Sequence, residues 1–449
     1  MTDGPALDVR ALRDWLAAQR WFAAKGRELR EVRALETFTL RGESPVLLAL
    51  VETRFAAGPP ERYQVLLGTH RGASDGALAF DDAVGDPREG ALLAGLFGGE
   101  RTLRGAHGDV GFHRADGAAP MGVDPVVRPM GVEQSNSSVI LDETSVLKVF
   151  RRLEDGESPE LEMLRELTAQ GFDSIARLQG WYAYAAGDTQ VTLGVLQEFV
   201  GDATDGWTLA LAAIAAGDGG IFDRLGVLGG VTGAMHTALG RAAGTDFAAE
   251  PFGADALTAL TAAIDGQIER RWRALPEGAA ELVGRDGALR ERVRAMGRAG
   301  IGGRLIRHHG DFHLGQTLAR PDGRWVIIDF EGEPARSLQD RRRRQSPLRD
   351  VAGMLRSFAY AASASAVLHG TPAPADWEAR ARAAFLDGYL EHVDPALLPA
   401  GRPATDELLA LFELEKAVYE LGYEIDNRPA WVGIPAAGIA RLLQEPLPA

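Results

Sequence analysis

Apolar positions recur at helical spacing over residues 6–21, where Leu7, Val9, Leu12, Trp15 and Leu16 predict a short amphipathic helix. The pattern then turns to strand character over 37–40, 46–51 and 63–67, in runs separated by glycine, proline and serine. Residues 70–125 are rich in Gly and Asp, with a helix predicted over 89–96 and short strands beside it. Residues 138–141 and 146–150 flank Asp142-Glu143-Thr144 and read as a hairpin. A helix is expected over 159–170, with Pro159 suited to its first turn, then strands over 178–183 and 190–199. From Trp207 the spacing is helical to about residue 300, is interrupted by a loop and strand over 309–329, and is helical again to the end.

This order predicts an α+β, two-lobed fold with an extra N-terminal unit: a cap subdomain over 1–90, a β-rich intermediate subdomain over 91–200, and a helical C-terminal lobe over 201–449. A chain of 449 residues is too long for one simple core, which agrees with several packed parts.

Charge and composition narrow the function. A net charge of −15 argues against nucleic acid, whose phosphates need a basic footprint. The absence of cysteine excludes disulfides, thiol catalysis and cysteine metal sites, and fits a cytoplasmic protein. The N-terminus has no basic and apolar leader pattern, so no secretory signal is expected. No membrane span is expected either, the nearest apolar run being the short 207–217.

The chemistry is concentrated in one stretch. His309-Gly310-Asp311-Phe312-His313-Leu314-Gly315-Gln316 is a turn crowded with polar groups, and 324–329 is an apolar strand ending in Asp329, followed by Glu331 and Glu333. Gln316 and Asp329 offer hard oxygen ligands of the kind Mg2+ takes, leaving Asp311 free to accept a proton from an attacking hydroxyl. An acid, an amide and a second acid in this order are what phosphoryl transfer from ATP asks of a protein. Upstream, Val146-Leu147-Lys148-Val149-Phe150 aims a lysine at nucleotide phosphates, with Glu162 on the next helix as its expected partner. The polar run 131–137 ahead of the hairpin offers Ser135 and, just beyond it, Ser138 to a phosphate, and an ordinary polar turn is the alternative. Gln197, Glu198 and Val200 stand where a two-lobed kinase has the hinge that pairs with adenine. Arg341–Arg344 reads as a solvated basic loop.

These residues resemble the bacterial maltokinases and their relatives. The likeness runs through Gln19-Arg20-Trp21-Phe22, Gln134-Ser135-Asn136-Ser137-Ser138, Asp205-Gly206-Trp207, Asp329-Phe330-Glu331-Gly332-Glu333-Pro334, Ser346-Pro347-Leu348-Arg349-Asp350 and Asn427-Arg428-Pro429-Ala430-Trp431. It implies an aminoglycoside-phosphotransferase-like, eukaryotic-protein-kinase-like fold that uses ATP and Mg2+ to phosphorylate a sugar, with Asp311 as base, Gln316 and Asp329 as metal ligands and Lys148 on the phosphates. Within the family the sugar is glucosamine, phosphorylated at its 6-hydroxyl, or maltose, phosphorylated at position 1. Glu420, Glu424, Asp426 and Trp431 suit an ammonium-bearing sugar, although Asp426 leaves the helical face that Glu420 and Glu424 share. Glucosamine is therefore the first expectation and maltose the second. A catalytically silent kinase-like binder is the rival from another class, and such proteins lose the lysine, base or metal acid that this chain keeps. The sequence leaves the chain a monomer or a homodimer.

Overall fold

The computed structural model describes residues 7–444 apart from 23, 41–45, 72–77, 100, 123, 132–135, 297–301 and 335. The chain divides into two compact units, one of Met1–Arg165 with Ala176–Gly201, the other of Glu166–Ile175 with Asp202–Ala449.

The first unit opens with α1 (Val9–Ala18), whose N-terminus is capped by the Asp8 carboxylate accepting from the backbone N–H groups of Arg10 and Ala11. Strands β1 (Leu29–Thr39), β2 (Val46–Phe55), β3 (Glu61–Arg71) and β4 (Leu78–Asp82), the short α2 (Glu89–Gly95), then β5 (Thr102–Arg104), β6 (Asp109–Arg114), β7 (Val127–Pro129), β8 (Asn136–Leu141), β9 (Ser145–Phe150) and β10 (Arg152–Leu153) follow. Helix α3 (Pro159–Ala169) precedes β11 (Leu178–Ala186) and β12 (Thr189–Glu198).

Two sheets result. One has the order β1-β2-β3-β10 with β4 added to β3, and the other β5-β6-β11-β12-β9-β8-β7. Strand β2 explains why 46–51 is apolar without alternation. Val46, Leu48 and Leu50 join a core shared with Phe97, Phe112, Leu147 and Tyr182 of the seven-stranded sheet region. Leu47, Ala49 and Val51 point the other way, into a core with Leu12, Leu16, Trp21 and Phe22. Both faces of the strand are dry, so both parities are apolar. Residues on both sides of the line expected at residue 90 share this core within one compact unit.

The hairpin β8–β9 turns on Asp142 and Glu143, both at positive φ, 50° and 53°. The Thr144 N–H returns to the Leu141 carbonyl at 3.0 Å, a mirror-image tight turn that matches strand twist.

The second unit contains β13 (Thr204–Asp205), α4 (Gly206–Ala216), α5 (Ile221–Arg241), β14 (Glu250–Pro251), α6 (Ala254–Arg271), α7 (Asp286–Met296) and β15 (Arg304–Leu305). Then come β16 (Thr317–Ala319), β17 (Trp325–Ile327), α8 (Leu338–Arg341), α9 (Leu348–His369), α10 (Trp377–His392), α11 (Arg402–Asn427) and α12 (Gly433–Gln444). The small sheet β13-β16-β17 holds the loop 309–316 on one side and the acidic turn after Ile328 on the other. By length and composition α9 is the one described helix apolar enough to cross a membrane, which corrects the expectation that 207–217 comes nearest. Its apolarity has a packing cause, because most of its residues from Leu348 to Ala364 are buried in this unit.

Candidate functional site

The catalytic-type loop is built on a buried carboxylate. Asp350, in the first turn of α9, accepts from the backbone N–H of His309 at 2.7 Å and of Gly310 at 2.9 Å. His236 on α5 meets the same carboxylate at 3.1 Å through Nε2, while its Nδ1 lies 3.1 Å from the Tyr389 hydroxyl. A neutral ring satisfies both by donating to Asp350 and accepting from Tyr389. Burial would raise the Asp350 carboxyl, but the adjoining His308, the His236 hydrogen bond and His309 hold it well below the usual carboxylate range.

The loop closes down on α9 at helical spacing. Gly353 leaves room for the Phe312 carbonyl, which a Cβ would meet at 2.6 Å, and Ser357 accepts from the Leu314 N–H at 3.0 Å. Gly310, at φ +84°, makes the bend itself. His309 fixes the far side: its Nε2 donates to the Ile328 carbonyl at 2.9 Å, and its ring packs on Phe312 and Phe330 with centroids 5.2 and 4.9 Å away.

Asp311 therefore projects from an immobilised loop. Lys416 of α11 sits 3.5 Å from its Oδ1, an opposite charge that orients the carboxylate. Gln316 and Asp329 are brought together, the amide donating to the Asp329 carboxylate at 2.8 Å. Asp329 holds a left-handed φ of 65°, a strained conformation of the kind that functional sites keep. The pair offers hard oxygen donors that fit a divalent cation.

Beside this loop His308 is buried, and burial pushes its ring down to about 4, with Asp350 pulling partly the other way. An unfolded chain takes up that proton near its ordinary value of about 6.5. Between those values the unfolded state binds more protons, so stability is complete above about pH 6.5 and declines as pH falls toward 4. Urea midpoints at pH 7 and pH 5 should differ markedly in the native chain and much less in His308→Phe. Equal differences in both proteins would remove His308 as the cause.

In the first unit Lys148 on β9 pairs with Glu160 at 3.0 Å, a partner that the sequence reading, which chooses Glu162, passes over. The correction lies in helix phase. The two glutamates are roughly 200° apart around α3 and both are buried, Glu160 in the stripe of Leu164 and Leu167. That i, i+4, i+7 spacing was the available signal. Gln197 steadies the pair by donating from its side-chain amide to Glu160 at 2.9 Å. The Glu198 N–H is taken by the Arg177 carbonyl at 2.9 Å, and Val200 follows the end of β12. Ser138 lies across the hairpin from Lys148 in β8, and Ser135 falls outside the described residues.

A cavity of about 720 Å³ in the second unit is lined by Asp311, Glu420, Glu424 and Trp431, together with Trp207, Tyr360, Lys416 and Tyr423. Successive turns of α11 supply Lys416, Glu420 and Tyr423 with Glu424. Glu424 is buried, bonded by Arg428 at 2.6 Å and by the Tyr360 hydroxyl at 3.1 Å. Trp431 stacks on Tyr360 with centroids 6.4 Å apart, and Glu420 pairs with the buried Arg356 at 2.9 Å. Asp426 is not among the lining residues. It bonds Arg271 at 3.2 Å, because six residues past Glu420 on a helix face roughly 240° away. Nearer the loop, burial would raise Glu333, but Lys416, the Tyr419 hydroxyl and Arg336 together hold its carboxyl below the usual value. The arginine run is engaged as well: Arg341 donates to the Glu331 carbonyl at 3.1 Å and Arg344 to that of Thr245 at 2.9 Å.

The chain resembles known proteins over most of its length. Residues 15–95 match the family model described as the maltokinase N-terminal cap domain. Over 385 residues the chain is 32% identical to a glucosamine kinase of Streptacidiphilus jiangxiensis, covering 81% of this chain and 82% of that protein. A glucosamine kinase of Mycolicibacterium smegmatis is 31% identical over 332 residues, 71% of this chain and 80% of the relative. Among solved structures, a glucosamine kinase in complex with glucosamine, ADP and inorganic phosphate superposes with a TM-score of 0.70 at 25% identity, covering 99% of this chain and all of the other. A second crystal form of a glucosamine kinase gives 0.71 with 96% of this chain covered.

Proposed function

The chain belongs to the glucosamine kinase family, and on that premise we propose that it transfers the γ-phosphoryl group of ATP to the 6-hydroxyl of D-glucosamine. The observation that carries the reading is the convergence of Asp311, two carboxylates and an aromatic wall on one cavity. Asp311 accepts the proton of the attacking hydroxyl as the new oxygen–phosphorus bond forms and the bond to the ADP oxygen breaks. Lys148, held by Glu160 and Gln197, takes the α- and β-phosphates. Gln316 and Asp329 are the proposed ligands of Mg2+, which when bound neutralises phosphate charge.

At the other end of the sugar, Glu424 and Glu420 face the ammonium group and Trp431 gives it a ring face. Removing that face by Trp431→Ala should raise the KM for glucosamine about 3- to 30-fold and narrow the preference over glucose. Initial rates with glucosamine, maltose, glucose and an aminoglycoside test the reading itself. A clear preference for maltose would overturn it.

A further inference from the structure

The cavity proposed to take the sugar already contains a cation of the chain's own. Arg428, at the C-terminal end of α11, donates from Nε to Glu424 Oε2 at 2.9 Å and from Nη2 to Oε1 at 2.6 Å, a bidentate grip on one carboxylate. Its guanidinium carbon lies 5.1 Å from the Trp431 ring centre and 5.4 Å from that of Tyr423. Tyr423, Glu424, Arg428 and Trp431 all line the cavity. A carboxylate with aromatic faces beside it is also the set that recognises an ammonium group. With the Tyr360 hydroxyl at 3.1 Å, three donors fill a carboxylate that has about four acceptor positions. The two carboxylates of the site are paired differently. Arg356, which bonds Glu420, is 1% exposed, and its guanidinium fills the space that Gly438 of α12 leaves without a Cβ. The Arg428 side chain is 48% exposed and has solvent to swing into, while its backbone N–H stays on the Glu424 carbonyl at 2.8 Å.

We propose that Arg428 is a built-in placeholder for the substrate's ammonium group: its guanidinium holds Glu424 and the two rings in the sugar-free enzyme, and an amino sugar displaces it. The inference deepens the glucosamine reading and rests on it. The exchange swaps one cation for another, so the buried Glu424 carboxylate is never left alone, a state that is strongly unfavourable. A neutral sugar offers no replacement charge and leaves Arg428 in place. Discrimination against neutral sugars then comes from what has to be expelled as well as from what is gained. An i, i+4 pair made only to steady a helix end needs neither ring, and Arg428 sits beside both. The placeholder also weakens binding of the substrate it selects, because apparent affinity falls by the fraction of time the site is open.

The test is steady-state kinetics of the full chain, with melting curves for each variant and methylguanidinium as a probe. Arg428→Met keeps the stem beside the rings and removes the cation. It should lower the KM for glucosamine about tenfold, and methylguanidinium should compete with glucosamine about tenfold more strongly than in the native chain. Arg428→Lys keeps a charge but loses the bidentate grip, and its KM should fall between the native and Arg428→Met values, lower than native even if Arg428→Met folds poorly. A KM for glucosamine that is unchanged or raised in both variants, or methylguanidinium inhibition equal in the native and Arg428→Met proteins, would overturn the placeholder. Glu424→Gln separates the two levels of the argument. If it leaves the KM for glucosamine unchanged, the ammonium reading of Glu424 fails and the placeholder with it. If Glu424→Gln and Arg428→Met both raise that KM, the ammonium reading stands and Arg428 is a ligand of the sugar instead.

Discussion

Asp311→Asn is expected to lower kcat for glucosamine phosphorylation by about 10²- to 10⁴-fold, the range by which a positioned general base contributes. Asparagine preserves the shape of the side chain and the loop that carries it, whose anchors are backbone groups of His309, Gly310 and Leu314. The substitution removes a proton acceptor and leaves Lys416 facing a neutral amide. The KM for ATP should change little, because the groups proposed to hold nucleotide lie on other residues. Turnover within about tenfold of the native enzyme would assign the proton acceptor elsewhere.

The largest effect on stability is expected at Asp350. Its carboxylate satisfies two backbone N–H groups and a buried histidine at once. Asp350→Ala leaves all three donors without an acceptor in a dry environment. Breaking such a buried polar cluster costs about 3–5 kcal/mol. For a unit of this size that corresponds to a fall in melting temperature on the order of 10 °C. Activity should drop further than the folded fraction explains, since Gly310 and Asp311 lose their fixed path. A melting temperature within about 2 °C of the native value would show that the loop is held by its other contacts.

The legibility of this site in the sequence follows from where each contact is made. His309 to Asp329 could be read because loop, amide and acid sit in one short stretch, and the small β13-β16-β17 sheet folds that stretch on itself. Lys148 could be read because a hairpin with a tight turn sets which face each residue of β9 takes. Its partner could not be assigned from residue type alone, since Glu160 and Glu162 differ only in helical phase. Asp350 stood in a motif without a role. An acid in the first turn of a helix reads as a favourable end charge, and only the packing of α5 and the loop against it reveals a hub. Lys416 meets Asp311 across about a hundred residues of chain, a distance at which sequence spacing carries no contact information. Asp426 was grouped with Glu420 and Glu424 by chemistry, while the helix separates them by angle.

Helix α9 sets the limits within which this enzyme type can change. Asp350, Gly353 and Ser357 hold the loop, and Tyr360, one turn later on the same face, lines the cavity proposed to take the sugar. A single inserted or deleted residue between them would turn one group roughly 100° against the other, so the length of this segment is under double constraint. The last turns of α11 and the Pro429–Trp431 turn contribute Tyr423, Glu424 and Trp431 to the same cavity. Divergence in sugar preference can therefore accumulate at one end of the cavity while the reacting end stays frozen, as separate heritable modules on a common ruler.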